Sequence, residues 1–205
     1  MSRHRFLIAN QTISPLPSGY VLLDYIESTG EQYIELDLPI TKDTVCRIKF
    51  NLSASTGNCI MGSSGQFRFF NAANSAYLDW ARGRGGDRLH GGRINNNTTY
   101  DIEFGDWYVK NLDTGDYIIQ GTAWGDTVSY VSNKINLMYI PNLGPNVKAK
   151  GKFYLSQVIE KGELVCNLLP CVDPSGAVGM YDTVSRKFYG NAGTGTFVAG
   201  YKEVS

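Results

Sequence analysis

Between residues 46 and 50 the chain alternates without a slip: Cys46, Ile48 and Phe50 are apolar, and Arg47 and Lys49 between them are charged. A period of two sets one group of side chains on a buried face and the other on a wet face of a sheet, which a helix of 3.6 residues per turn cannot do. Cys46 is therefore expected in a core. The same reading holds for residues 66–70, 100–104, 106–110 and 116–120. Between such runs, Asp113-Thr114-Gly115-Asp116 and Glu160-Lys161-Gly162-Glu163 offer glycine where a tight hairpin needs a positive φ. Residues 153–159 and the run after Ser18 also fit a short helix, and the first of them reads equally as a strand. The 23 glycines and 13 tyrosines suit strands and turns. These features predict an all-β, antiparallel sandwich, jelly roll or barrel.

A chain of 205 residues can bury a substantial core. Its 19 Lys and Arg balance 19 Asp and Glu, which argues against nucleic acid as a partner. No apolar run approaches the roughly 20 residues of a membrane helix, so no membrane partner is expected. After Arg3, His4 and Arg5 the apolar stretch is only residues 6–9, short of a signal-peptide core. Synthesis in a reducing compartment follows, with Cys46, Cys59, Cys166 and Cys171 as thiols. Residues 1–15 read as an arm ahead of one domain over residues 16–205, since Pro15 and Pro17 interrupt regular pairing. Such an arm is either a frayed terminus or an assembly segment that docks through Arg3, Arg5, Phe6, Leu7 and Ile8.

The two ends carry the most specific text. Leu16-Pro17-Ser18-Gly19-Tyr20 precedes LDYIESTGEQYI at residues 23–34. Leu169-Pro170-Cys171 and Gly179-Met180-Tyr181-Asp182 precede KFYGNAGTGTF at residues 187–197. Together these resemble a family of domains abundant in gut bacteria and their phages. That resemblance implies a concanavalin A-like, laminin-G-like jelly-roll β-sandwich whose first and last strands pair within one sheet. The border motifs then serve closure, with Gly193 and Gly195 in turns or close approaches and Tyr25, Tyr33, Tyr181 and Phe188 in the core. The resemblance also implies a setting: a virion structural protein of a phage, made in the host cytoplasm, in capsid or tail. There it would be tethered by its arm to other virion proteins, as a homo-oligomer, and would contact host or mucosal polysaccharide. The alternatives are a bacterial surface glycan-binding module and a glycoside hydrolase.

Retaining glycosidases of this fold carry Glu-x-Asp-x-x-Glu on a strand, where the two glutamates act as nucleophile and acid/base. Here the nearest match is Glu35-Leu36-Asp37-Leu38-Pro39-Ile40, with isoleucine in place of the second glutamate. A non-enzymatic role is expected. His4 and His90 are the two histidines, and Gly62-Ser63-Ser64-Gly65 has the wrong spacing for a nucleophile elbow. Cys166 and Cys171 lack a second ligand pair for zinc. Asp113 and Asp116 read as turn residues rather than calcium ligands, so no cofactor or metal is expected, although calcium is common in laminin-G-like lectins.

The most unusual local composition runs from Trp80 to Arg93 and holds Arg82, Arg84 and Arg88 among glycines. Guanidinium forks and an indole face suit an anionic glycan, and the same residues suit a solvated connection between strands. Sugar sites pair an aromatic face with planar polar groups. The expected glycan-binding set is therefore Trp80, Trp107 and Trp124 with Arg82, Arg84, Arg88, Asn96 and Asp126.

Overall fold

A computed structural model of the chain describes residues 14–53, 57–63, 67–71, 77–82, 88–105, 108–121, 134–141 and 148–202. Among these residues there are strands and no helix. In chain order they are β1 (Val21–Leu22), β2 (Tyr25–Thr29), β3 (Ile34–Leu36), β4 (Thr44–Leu52), β5 (Asn58–Gly62) and β6 (Phe67–Asn71). Next come β7 (Tyr77–Arg82), β8 (Arg88–Arg93), β9 (Thr99–Phe104), β10 (Tyr108–Asn111), β11 (Tyr117–Gln120) and β12 (Ile135–Leu137). The last are β13 (Lys150–Glu160), β14 (Glu163–Val172), β15 (Val178–Asp182), β16 (Lys187–Tyr189) and β17 (Val198–Gly200).

They form two antiparallel sheets. The larger runs β11-β10-β9-β4-β13-β14-β15-β16, with β2 also beside β13, β17 beside β2, and β1 beside β14; the smaller runs β3-β12-β5-β6-β7-β8. This is the antiparallel β-sandwich that the alternation predicted. In β4, Thr44, Cys46, Ile48, Phe50 and Leu52 are buried and the residues between them are half-exposed. Residues 153–159 lie within β13, and the run after Ser18 supplies β1 and β2. The hairpin from β13 to β14 turns on Lys161 (φ 51°) and Gly162 (φ 83°), the paired positive φ of a two-residue type I′ turn.

The core between the sheets is aromatic where β9 faces β6 and β7. Phe104 stacks on Phe69 at 4.5 Å between ring centroids and meets Trp80 edge-on at 4.9 Å, while Phe67 also meets Trp80 edge-on at 4.9 Å. Each of these four side chains is at most 2% exposed. Burial of a ring of this kind contributes about 1.5–3 kcal/mol. All four cysteines are buried thiols. Cys46 and Cys166 both pair with Val158, from opposite sides. They are thus two strand spacings apart, about 10 Å, beyond disulfide reach. Burial pushes Cys59 and Cys171 up to about 12, which keeps them as unreactive thiols.

The border motifs meet. β17 pairs with β2, so the last strand closes onto the first long one. Beyond it, the Ala192 N–H donates to the Tyr33 carbonyl (2.9 Å), the Tyr33 N–H to Asn191 Oδ1 (3.1 Å), and Gln32 Nε2 to the Thr194 carbonyl (3.2 Å). Gly193 passes so close to this loop that a Cβ there would stand 2.1 Å from the Glu31 carbonyl oxygen. A second, smaller cluster forms on the outer face of the large sheet, where Leu16, Tyr20 and Leu22 cover Leu169, Cys171, Tyr181 and Phe188. Tyr181 and Phe188 thus pack on the outer face rather than in the main core, whereas Tyr33 packs against the main core.

Asp182 anchors the turn into β16. It is 2% exposed and accepts the N–H groups of Asn167 (2.8 Å), Val184 (3.0 Å) and Ser185 (3.3 Å) and the Ser185 hydroxyl (2.6 Å). Burial alone would raise its pKa, but these donors outweigh burial and hold it below the ordinary carboxylate value.

Two predictions follow from this closure. Gly193→Ala should cost about 1–3 kcal/mol in urea unfolding, because a backbone carbonyl must move to admit the methyl. A folded-state pKa that is depressed contributes stability above the unfolded value near 3.9, and that contribution is lost as pH falls through the lower folded value. Unfolding midpoints measured across acid pH should therefore drop below about pH 4 in the parent. Asp182→Asn should flatten that drop while costing about 1–3 kcal/mol at neutral pH.

Candidate functional site

The large sheet forks. β13 pairs with β14 as far as Ser156 and Leu168, and from there the two strands part. Two local features coincide with the parting. Pro170 in β14 has no N–H for a ladder, and its carbonyl is taken instead by the Leu23 N–H (2.9 Å). In β13 a bulge leaves Tyr154 as the extra residue between the Phe153–Phe50 and Leu155–Lys49 pairs. A bulge bends its strand and re-aims a side chain. β2 then takes the place beside β13, from Phe153 back to Lys150, and β1 takes the place beside Cys171 and Val172.

A groove lies along the fork on the outer face. One part, of about 270 Å³, is lined by Pro15, Leu22, Leu23, Leu169, Pro170 and Tyr154, with Lys49, Asp24 and Lys202 also on its wall. An adjoining part, of about 510 Å³, is lined by Asp24, Tyr25, Lys152, Tyr201 and Lys202. Asp24 and Lys202 belong to both, so they mark the ridge between the two parts. Tyr201 is 64% exposed, the largest exposure of any large apolar or aromatic side chain among the described residues. The Tyr25 and Tyr154 rings meet edge-on at 5.6 Å, and Lys152 Nζ stands 4.4 Å from the Tyr25 centroid. Hydrogen bonding to Tyr25 holds the Lys152 ammonium above the ordinary lysine value, so it is fully charged at neutral pH.

Tyr25 is half-exposed on the outer face rather than in the core. Its ring crosses Gly200 so closely that a Cβ there would lie 2.4 Å from the ring. The ring therefore acts as the floor on which Tyr154 and Lys152 are set.

The rest of the outer face is occupied with itself. Arg47 donates to both oxygens of Asp101, at 2.8 and 2.6 Å, and reaches Gln157 at 3.4 Å. Gln157 donates to Asn167 (2.9 Å) and Asn167 to Thr183 (2.8 Å). Farther along, the Tyr108 hydroxyl donates to Glu103 (2.7 Å). These groups satisfy one another and leave little for a ligand. Lys49 and Lys202, by contrast, have no acid within ion-pair distance among the described residues. A trough with an apolar part, one exposed and two half-exposed tyrosine rings, Asp24 on its wall and three ammonium groups is suited to bind a polar molecule that has flat apolar faces.

No protein-family model and no curated protein matches the chain. Among solved structures, the fold is similar to that of a "putative carbohydrate binding protein" from Bacteroides ovatus, with a TM-score of 0.56 and 15% sequence identity. The similarity covers 90% of this chain and 61% of that one, so the chain spans under two thirds of that protein's length. At this identity the likeness concerns the fold.

Trp80 is not a sugar-stacking residue. It is 0% exposed, wedged between Phe67, Phe69 and Phe104, and its Nε1 donates to the Gly105 carbonyl at 2.8 Å. The alternation of Leu78, Asp79 and Trp80 already sets Leu78 and Trp80 on one apolar face. Arg82 ends β7 and Arg88 opens β8, and these two strands pair antiparallel. Asn96 is exposed in the turn from β8 to β9 and does not line the groove. Arg84, Trp107, Trp124, Asp126 and the arm residues Arg3, Arg5, Phe6, Leu7 and Ile8 lie outside the described residues. No cluster of metal-ligating side chains occurs among the described residues. Glu35 and Asp37 do share an exposed face, but Glu35 is ion-paired with Lys134 at 2.6 Å and Ile40, at the third position, is buried in the core.

Sequence reasoning did not single out Lys49, Lys152, Tyr154, Tyr201 or Lys202. Alternation in β2 would have set Tyr25 with Glu27, opposite Ile26. For Trp80, replacement by Phe should lower the urea midpoint by the equivalent of about 1–3 kcal/mol, since the Gly105 carbonyl then loses its buried donor and the core loses volume.

Proposed function

We propose that this protein is a non-catalytic carbohydrate-binding β-sandwich that receives its glycan in the fork groove of the large sheet. The observation that carries this reading is the placement of Tyr154 and the 64%-exposed Tyr201 along one groove with Asp24, Lys49 and Lys202. A pyranose presents C–H groups on one face and hydroxyls around its rim. Tyrosine rings take the first, and carboxylate and ammonium groups hydrogen-bond the second. The fold shared with the Bacteroides protein supports the same class of ligand. A hydrolase reading is disfavoured by the Glu35–Lys134 ion pair and by the buried Ile40 where a second acid would be needed. The virion setting implied by the terminal motifs rests on those motifs alone.

A glycan array followed by calorimetry tests the proposal. Saturable binding to at least one glycan is expected, and Tyr154→Ala and Tyr201→Ala should each weaken it by about fivefold to tenfold, the worth of one stacked ring. The bound glycan should yield no new reducing ends on prolonged incubation. Absence of binding to every glycan, or cleavage that Glu35→Gln abolishes, overturns the reading.

A further inference from the structure

We infer that the groove selects acidic glycans, with a carboxylate or sulfate group seated between Lys152 and Lys202 and a neighbouring sugar in the apolar part beside Tyr154. This inference rests on the carbohydrate-binding reading above and adds the charge class of the ligand and its orientation.

The groove gathers lysines that no acid compensates at ion-pair distance among the described residues. Elsewhere among the described residues, lysines beside aromatic rings or sheet edges are answered by acids or stand singly, as Lys110 over Tyr117 and Lys187 over Tyr189 do. Lys148 lies over Tyr33 and Tyr139 but is ion-paired with Glu31 at 3.4 Å, and Lys134 is ion-paired with Glu35 at 2.6 Å. Lys49, Lys152 and Lys202, by contrast, line one groove together, and none has an ion pair among the described residues. Two acids face them: Asp24 on the ridge, and Glu27, which is opposite Lys152 in the β2–β13 register. Neither is within ion-pair distance of a lysine, and among the described residues three ammonium groups against two carboxylates give the groove a net charge of about +1. In a chain of zero formal net charge, that excess is a local arrangement rather than a general property of the surface.

Position then assigns the two parts. The 270 Å³ part is walled mainly by Pro15, Leu22, Leu23, Leu169 and Pro170 and suits the apolar face of a sugar. The 510 Å³ part has Lys152 held by Tyr25 on one side and Lys202 on another, and suits an anion that accepts from both ammonium groups. Asp24, on the ridge, is placed to accept a hydroxyl from the unit between. The ligand is thus at least a disaccharide unit with an acidic group on one residue.

Two matched polymer pairs test this by calorimetry or affinity electrophoresis: polygalacturonate against its methyl ester, and dextran sulfate against dextran. Each pair changes charge on one backbone, and together they tell carboxylate from sulfate. Binding to at least one charged member is expected, about tenfold or more tighter than to its neutral partner, and weakening as ionic strength rises. Lys152→Gln with Lys202→Gln should remove about tenfold of that affinity. Lys134→Gln, on the other sheet, should leave it unchanged. Equal binding within both pairs, binding only to neutral glycans on the array, or charged-polymer binding that the double substitution does not weaken would overturn the inference and leave the carbohydrate-binding reading standing. Failure to bind any glycan at all, with the near-ultraviolet circular dichroism of a folded protein, overturns both.

Discussion

The closure of the large sheet by β2 and β17 is tied by hydrogen bonds between segments some 160 residues apart: Tyr33 to Asn191 spans 158 positions and Gln32 to Thr194 spans 162. Bringing such distant segments together is costly in chain entropy, and the cost is offset only if many contacts form at once. The border motifs achieve this by using short polar side chains that bond in several directions. Asn191 Oδ1 accepts from Tyr33 and Gly193, while its Nδ2 donates to the Thr194 and Gly195 carbonyls. With the loop so held, β17 has a fixed partner in β2, and β2 in turn is fixed beside β13. The groove inherits its floor from that pairing, because Gly200 of β17 is the residue that lets the Tyr25 ring lie flat.

The outer face is divided by how its polar groups are satisfied. From Tyr108 to Thr183 the side chains bond one another in a ladder across neighbouring strands, and Asp101 neutralises the Arg47 guanidinium at bidentate distance. Such a network stiffens the sheet and offers a ligand few unsatisfied donors. At the fork the strands diverge, the ladder stops, and lysines take over.

How much of this was legible in the chain follows from the range of the forces involved. Strand identity depends on local alternation and on turn glycines, so β4 and the hairpin over Lys161 and Gly162 could be read directly, whereas the closure of the border motifs is legible only through their resemblance to a known family. Trp80 misled because tryptophan beside an Arg-Gly segment suggests a binding loop, although its own two-residue period with Leu78 marks it as core. The groove was hidden for a different reason. Tyr154 faces Tyr25 because of a bulge, and Lys202 stands near Asp24 because β17 pairs with β2; both are outcomes of long-range pairing that no local pattern encodes. Tyr25 itself was assigned to the core on its motif, where the simple alternation with Ile26 would have set it outside.

The proline at position 170 has one more consequence. A strand that merely frays can anneal again, but a ring nitrogen without a hydrogen cannot be repaired by any rearrangement of the backbone. The missing donor is therefore permanent, built into the covalent chemistry of the chain rather than into a balance of conformations. Whatever adjoins β14 at this point can bond it only by donating to the Pro170 carbonyl, as the Leu23 N–H does.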